Sequence, residues 1–100
     1  MTIAELLRTG LKHHHAGRLA EAEACYRQVL AAEPDHAGAL HLLGGIAYQA
    51  RRYDLAVALI GRAIKQDGRN PIYFSNLGAA LDQLDKPDEA AAAFRRAILL

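Results

Sequence analysis

The chain has 100 residues, of which 52% are hydrophobic and 23% charged, and its formal net charge is +1. These values predict one globular domain with a core and exclude a disordered chain. The small charge argues against nucleic acid or a membrane surface as a partner, and no apolar run approaches the roughly 18 residues of a membrane span. Because a single cysteine, Cys25, cannot form an internal disulfide, we expect a soluble cytoplasmic protein.

Six amphipathic helices are predicted in chain order from apolar residues that recur at spacings of three and four. Thr2 and Glu5 match a capping box at the start of the first helix. Asn70 followed by Pro71 gives an N-cap and a proline at the first helical position of the fifth. Pro87 suits the first turn of the sixth. We predict helices near 2–15, 19–32, 37–49, 53–66, 71–83 and 87–99.

The sequence repeats itself with a period of 34 residues. Gly10, Gly44 and Gly78 occupy one register position. The other recurring positions hold small or bulky apolar residues: Ala22, Ala56 and Ala90; Tyr26, Ile60 and Phe94; Leu6, Leu40 and Phe74; and Leu30, Ile64 and Ile98. Each unit is long enough for two helices, so the period predicts three stacked helix pairs.

The recurring glycines need a compensating contact, because a glycine inside a helix costs roughly 1 kcal/mol relative to alanine. We interpret Gly78 and Ala90 as the place where the two helices of the third pair cross, with Phe94 packed around the contact. The same residue types recur in the other two pairs. The predicted packing residues are therefore Gly10, Ala22, Tyr26, Gly44, Ala56, Ile60, Gly78, Ala90 and Phe94.

This pattern resembles the tetratricopeptide repeat, with repeats at 3–36, 37–70 and 71–100 in a single domain over 1–100. The first repeat departs from the family pattern at Thr9, where leucine is usual, and at Val29, where alanine is usual; Gly68 replaces the usual proline of the second. The resemblance implies an all-α, right-handed superhelix of six helices. It also implies a scaffold rather than an enzyme, with a concave groove that binds a peptide or a partner helix.

The resemblance also implies which residues face the groove, because the first helix of each repeat lines it. By register they are Leu7, Arg8, Leu11, His14, His15, His41, Leu42, Tyr48, Gln49, Ile72, Asn76, Asp82 and Gln83. This surface combines aliphatic side chains with neutral amides and carries little charge. We expect a protein or peptide partner.

One use of such grooves is disfavoured by these residues. Repeats that clamp the C-terminal carboxylate of chaperones place lysine, asparagine and arginine at set groove positions. This chain has Leu7, Leu11, Leu42 and Ile72 there, and only Asn76 fits that pattern.

Asn76 suggests a different alternative. The stretch "SNLGAAL" around it is similar to repeats that precede the catalytic domain of O-linked N-acetylglucosamine transferase-like proteins, where an asparagine bonds the backbone of an extended peptide. Arg8 and Leu42 hold the equivalent places, so an asparagine ladder is absent. Three functions remain open: an adaptor, the substrate-recognition arm of such a glycosyltransferase, and a self-assembling oligomerisation module.

The run His13–His15 does not predict a metal site. Consecutive helical side chains diverge by about 100°, so the three imidazoles cannot converge on one ion. Protonation of these groups near pH 6 could still tune partner binding. We interpret Cys25 as a small buried residue rather than a nucleophile, and expect no catalytic residue, metal or cofactor.

The sequence ends inside the sixth predicted helix. We expect Phe94, Ala97 and Ile98 to face partly inward and Leu99 and Leu100 to lie uncovered. Either the chain is a fragment of a longer repeat protein, or a second chain packs against this end. Both explanations predict that this chain self-associates through its uncapped C-terminal helix.

Overall fold

The computed structural model describes residues 1–100, which form six α-helices and no strand. The helices are α1 (Ile3–His15), α2 (Leu19–Ala32), α3 (Ala37–Gln49), α4 (Tyr53–Gln66), α5 (Pro71–Gln83) and α6 (Pro87–Leu99). They lie where the sequence predicts them, and the all-α prediction is confirmed. Helix α1 begins one residue later than predicted, because Thr2 is its N-cap rather than its first helical residue.

Side-chain caps explain where several helices begin. The Glu5 backbone N–H donates to Thr2 Oγ1 at 3.1 Å and the Thr2 backbone N–H donates to Glu5 Oε1 at 2.9 Å, so the predicted capping box is present. The side chain of Asn70 caps α5. Helix α3 has a cap that the sequence pattern did not predict: His36 Nδ1 accepts from the Ala39 backbone N–H at 3.1 Å.

The turn inside each helix pair places one residue in the left-handed region. Gly17, Arg51 and Asp85 have φ angles of 78°, 61° and 57°. Glycine adopts this conformation without cost, whereas an arginine side chain is strained there. The three residues share one register position, so the same turn closes all three pairs.

The buried apolar residues form four clusters along a stack with extents of 41 × 25 × 19 Å. Its largest cluster lies between the second and third pairs, where Leu40, Ile60 and Ala63 pack with Tyr73 and Ala80 of α5. Each later pair thus covers the apolar face that the pair before it leaves open, which is how repeat stacks gain stability. No helix combines the length and hydropathy needed to cross a membrane.

The recurring glycines lie where the two helices of a pair approach each other. A Cβ atom added to each would collide with a bulky side chain on the second helix of the same pair. The added Cβ atom would lie 2.5 Å from Tyr26 Cε1 at Gly10, 2.7 Å from Ile60 Cγ1 at Gly44, and 2.7 Å from Phe94 Cε1 at Gly78. The recurring alanines are buried beside these contacts. The residue nearest each glycine is therefore the bulky one, while the alanine keeps the backbones close.

One expectation about the C-terminal end is wrong. Ile98 does not face partly inward, because the residue is 83% exposed. Ala97 is half-buried, and Phe94 is 40% exposed. The physical reason is that Leu30 and Ile64, at the register of Ile98, pack against clusters that include residues of the next pair, and no helix covers α6 in this way.

Candidate binding groove

Helices α1, α3 and α5 present the residues that the sequence assigns to the groove. The exposed ones are Arg8, Leu11, His15, Gln49, Ile72, Asn76, Asp82 and Gln83. The half-buried ones are Leu7, His14, His41, Leu42 and Tyr48. All thirteen side chains thus retain surface that a partner can contact.

Two histidine–amide hydrogen bonds join neighbouring repeats across this face. His14 Nε2 lies 2.7 Å from Gln49 Oε1, and His41 Nε2 lies 2.7 Å from Asn76 Nδ2. Each pair is separated by 35 residues, which is one repeat plus one position. We call these contacts the histidine–amide bridges. The sequence predicted all four residues in the groove but not their pairing. The shared separation of 35 residues between a histidine and an amide is the signal that could have predicted it.

The bridges determine which atoms carry hydrogen. Gln49 Oε1 can only accept, so His14 Nε2 donates, and His14 Nδ1 accepts from the Tyr26 hydroxyl at 3.3 Å. In the second bridge the Asn76 amide N–H donates to His41 Nε2, so the hydrogen of His41 lies on Nδ1. The bridges therefore leave the Gln49 amide N–H groups and the Asn76 carbonyl oxygen free for a ligand.

Burial favours the neutral form of His41. Its ring packs against the Tyr73 ring with 4.6 Å between centroids, and desolvation lowers the pKa of the His41 imidazole from its ordinary value. Desolvation by burial likewise raises the pKa of the Tyr26 and Tyr73 phenols. A neutral His41 can accept the Asn76 hydrogen bond, so the lowered pKa and the hydrogen bond both favour the same protonation state.

A cavity of about 200 Å³ opens between α3 and α5, above Ile60 of α4. Its lining residues are Gly45, Tyr48, Ile60, Asn76 and Ala79. Gly45 creates the space, because a Cβ atom added there meets no atom within 4 Å. The volume is below the roughly 300–1,000 Å³ of small-molecule sites. It matches one aliphatic side chain better than a cofactor.

The histidines of the run His13–His15 have separate environments. His13 Nδ1 accepts from Arg18 Nε at 2.9 Å, His14 belongs to the first bridge, and His15 is exposed. No three histidine, cysteine, aspartate or glutamate side chains lie close enough together to hold a metal ion. Cys25 is buried and free.

The family model described as "Tetratricopeptide repeat" matches residues 15–71 and again residues 46–98. The two matches together cover most of the chain. The chain belongs to the tetratricopeptide repeat family.

Solved structures with this fold differ in size and context. The second tetratricopeptide domain of Spaghetti (RPAP3), bound to the HSP90 peptide SRMEEVD, has a TM-score of 0.93 at 24% identity, over 98% of this chain and 91% of that one. An O-GlcNAc transferase mutant from Thermobaculum terrenum has a TM-score of 0.93 at 29% identity, over 96% of this chain but 18% of that one. MamA from AMB-1 has a TM-score of 0.84 at 28% sequence identity, and the match covers 98% of this chain and 54% of the MamA chain.

Proposed function

We propose that this chain is a protein-interaction scaffold whose groove binds a peptide or a partner helix. We further propose that one aliphatic side chain of the partner enters the Gly45 cavity. The observation that carries the proposal is this apolar space, open in the groove and bordered by the amide of Asn76. Burial of an aliphatic side chain there is favourable by roughly 1.5–3 kcal/mol before ordering costs.

The free amide atoms support a peptide as the ligand. Gln49 keeps donors and Asn76 keeps an acceptor once the histidine–amide bridges are formed. An extended peptide offers donors and acceptors along its length, so successive peptide groups can pair with the two amides. Because the bridges already orient these amides, less side-chain entropy is lost on binding.

The groove does not favour a ligand that ends in a clamped carboxylate. Leu7, Leu11, Leu42 and Ile72 stand where such clamps place cations or asparagine. The Spaghetti domain shares the fold of this chain at 24% identity. Because the clamp residues differ, we do not propose that this chain binds the HSP90 peptide. We propose a neutral internal peptide segment or helix instead, met in the cytoplasm, where Cys25 stays reduced.

An alternative is that the chain serves as the substrate-recognition arm of a larger enzyme. The similarity to the Thermobaculum terrenum transferase supports it, at 29% identity over 18% of that chain, together with the position of Asn76. The proposal needs no catalysis by these 100 residues. A third candidate, a self-assembling module, would use the uncovered face of α6 rather than the groove.

The test compares two helical glycines that both have open space around them. Peptides that bind the immobilised chain are selected from a random phage-displayed library, and their affinities are measured by fluorescence anisotropy. Gly45→Leu fills the cavity with the side chain that Leu11 supplies at the same register, so affinity should fall about tenfold or more. Gly61→Leu on α4 is the control, because Arg27 and Arg95 occupy its register and a long side chain fits there.

The outcome that overturns the proposal is equally specific. If selected peptides bind Gly45→Leu as tightly as the wild type, the cavity is not the binding site. If Leu42→Glu and Asn76→Ala also retain affinity, the groove is not the binding surface.

A further inference from the structure

The two histidine–amide bridges have opposite polarity. In the first bridge His14 Nε2 donates to Gln49 Oε1, whereas in the second bridge His41 Nε2 accepts from Asn76 Nδ2. A protonated His14 keeps its Nε2 hydrogen, and the Tyr26 hydroxyl beside its Nδ1 can turn to accept the new one. A protonated His41 gains a hydrogen on Nε2 and can no longer accept. Protonation therefore preserves the first bridge and removes the acceptor of the second.

The Asn76 amide can respond to the loss of its acceptor. The residue is exposed, so the amide is free to rotate about the Cβ–Cγ bond. Half a turn places Oδ1 where Nδ2 lies now, and Oδ1 can accept from a protonated His41 Nε2. The same rotation exchanges the atoms that point away from His41. The neutral histidine leaves the Asn76 carbonyl oxygen free, and the protonated histidine leaves the amide N–H group free.

Asn76 stands where a bound peptide meets it. It lines the cavity that Gly45 opens, together with Tyr48 and Ala79. An aliphatic side chain in that cavity brings its own peptide groups close to the Asn76 amide. The orientation of this amide therefore decides whether the peptide backbone meets an acceptor or a donor there.

We propose that His41 is a positioning residue, which determines whether Asn76 presents an acceptor or a donor to a peptide in the groove. With neutral His41 the groove pairs with a peptide N–H, and with protonated His41 it pairs with a peptide carbonyl oxygen. This inference rests on the proposed function, because it specifies how the same groove recognises a peptide backbone. His41 acts through Asn76 and does not need to touch the peptide.

The groups around His41 set the pH range of the exchange. On α5 the ring faces the Tyr73 phenol, whose pKa is raised by burial and by the Asp67 carboxylate, so the phenol stays neutral in acid. Helix α3 carries no aspartate, glutamate, lysine or arginine. No charged side chain of α2 or α4, nor Asp67 after α4, forms an ion pair or hydrogen bond with His41. Desolvation lowers the pKa of His41 from the ordinary 6.5, so the exchange occurs below pH 6.5.

The first test needs no ligand. NMR of the isotope-labelled chain at neutral pH should show a coupling across the hydrogen bond between Asn76 Nδ2 and His41 Nε2, with the imidazole hydrogen on Nδ1. Below the pKa of His41 this coupling should disappear and the signals of the Asn76 amide should shift. A neutral His41 with its hydrogen on Nε2 overturns the proposal, as do Asn76 amide signals that stay unchanged throughout the titration.

The second test measures recognition of the peptide backbone. A peptide selected from the random library is compared with analogues in which single backbone amides are replaced by esters, so that one N–H is removed at a time. At neutral pH one ester should weaken binding to the wild type by about threefold to tenfold. The same ester should have no effect on binding to Asn76→Ala. Below the pKa of His41 its effect on the wild type should disappear.

Two histidine substitutions assign this pH dependence. His41→Gln should make the effect of the ester equal at both pH values, because a glutamine amide can pair with either orientation of Asn76. His13→Gln is the matched control. His13 lies outside the groove residues and accepts from Arg18 Nε at 2.9 Å, and a glutamine oxygen can accept in its place, so the pH dependence should remain. Circular dichroism checks that each variant is folded at both pH values.

Failure of this inference is distinguishable from failure of the proposed function. If Gly45→Leu and Asn76→Ala leave peptide affinity unchanged, the groove is not the binding surface, and the NMR test still decides whether His41 orients Asn76. If those variants weaken binding but the effect of the ester in the wild type is the same at both pH values, the groove binds the peptide and the role of His41 is wrong. An effect that still varies with pH in His41→Gln also overturns that role.

Discussion

His41 is the residue whose chemistry depends most on its surroundings. Its imidazole is partly buried against Tyr73 and accepts a hydrogen bond from Asn76. Both contacts favour the neutral ring, because burial penalises charge and a protonated Nε2 cannot accept. The second histidine–amide bridge therefore belongs to the neutral form of His41.

This predicts how stability responds to pH. Burial lowers the pKa of His41 below the ordinary value of 6.5, so the unfolded chain takes up a proton before the folded chain does. The contribution of His41 to the free energy of unfolding is therefore fully present above pH 6.5 and is lost as the pH falls from there through the folded-state pKa. His41→Gln should remove this contribution, so that urea unfolding of the variant changes less on acidification than that of the wild type.

The matched control for this experiment is His15→Gln. His15 is exposed near the end of α1, so its removal should leave the wild-type pH dependence in place. If His41→Gln and the wild type lose the same stability between neutral and mildly acidic pH, the environment of His41 does not disfavour protonation.

At the scale of the helices, α3 carries two adjacent glycines with opposite roles. Gly44 faces Ile60 of α4, whose Cγ1 would lie 2.7 Å from an added Cβ atom, and Ile60 is fully buried. Gly45 faces the groove and has no neighbour within 4 Å. One glycine allows the two helices to approach, while the other opens the cavity.

The two substitutions to alanine should therefore have opposite signs. Gly44→Ala forces Ile60 or the helices apart, and overpacking of this kind costs about 1–3 kcal/mol. Gly45→Ala meets no obstacle and should stabilise the fold by roughly 1 kcal/mol through helix propensity. Urea denaturation measures both changes. Equal effects of the same sign would show that the contact between α3 and α4 does not depend on the missing side chain.

At the scale of the whole molecule, protection by neighbours is uneven along the stack. Helices α3 and α4 lie between two other repeats, whereas α6 packs against the rest of the stack on one side only. Six residues of α3 are buried but two of α6. In a repeat stack each unit depends on its neighbours, so the end with less burial opens first.

Hydrogen exchange should follow this gradient. Backbone amides of α6 should exchange faster than those of α3 and α4. Mass spectrometry of exchanged peptides resolves the helices. Uniform protection from α1 to α6 would mean that the chain unfolds as one cooperative unit despite its open end.

The sequence alone was sufficient for the helices, their pairing and the family, because these depend on local chemistry and on a period. Thr2, Asn70 and Pro87 mark helix starts within one turn, and apolar spacing gives each helix its buried face. The recurrence of Gly10, Gly44 and Gly78 made the close approach within each pair predictable, since only a shared packing constraint explains a repeated glycine in helices.

The tertiary structure alone decided the groove's detailed chemistry and the condition of the open end. The histidine–amide bridges join residues of different repeats through distances that only the superhelical offset sets, and the Gly45 cavity depends on the width between α3 and α5. Ile98 was expected to turn inward and is 83% exposed, because its burial requires a neighbour beyond α6. Periodicity reports which face of a helix is apolar, whereas the stack determines whether that face is covered.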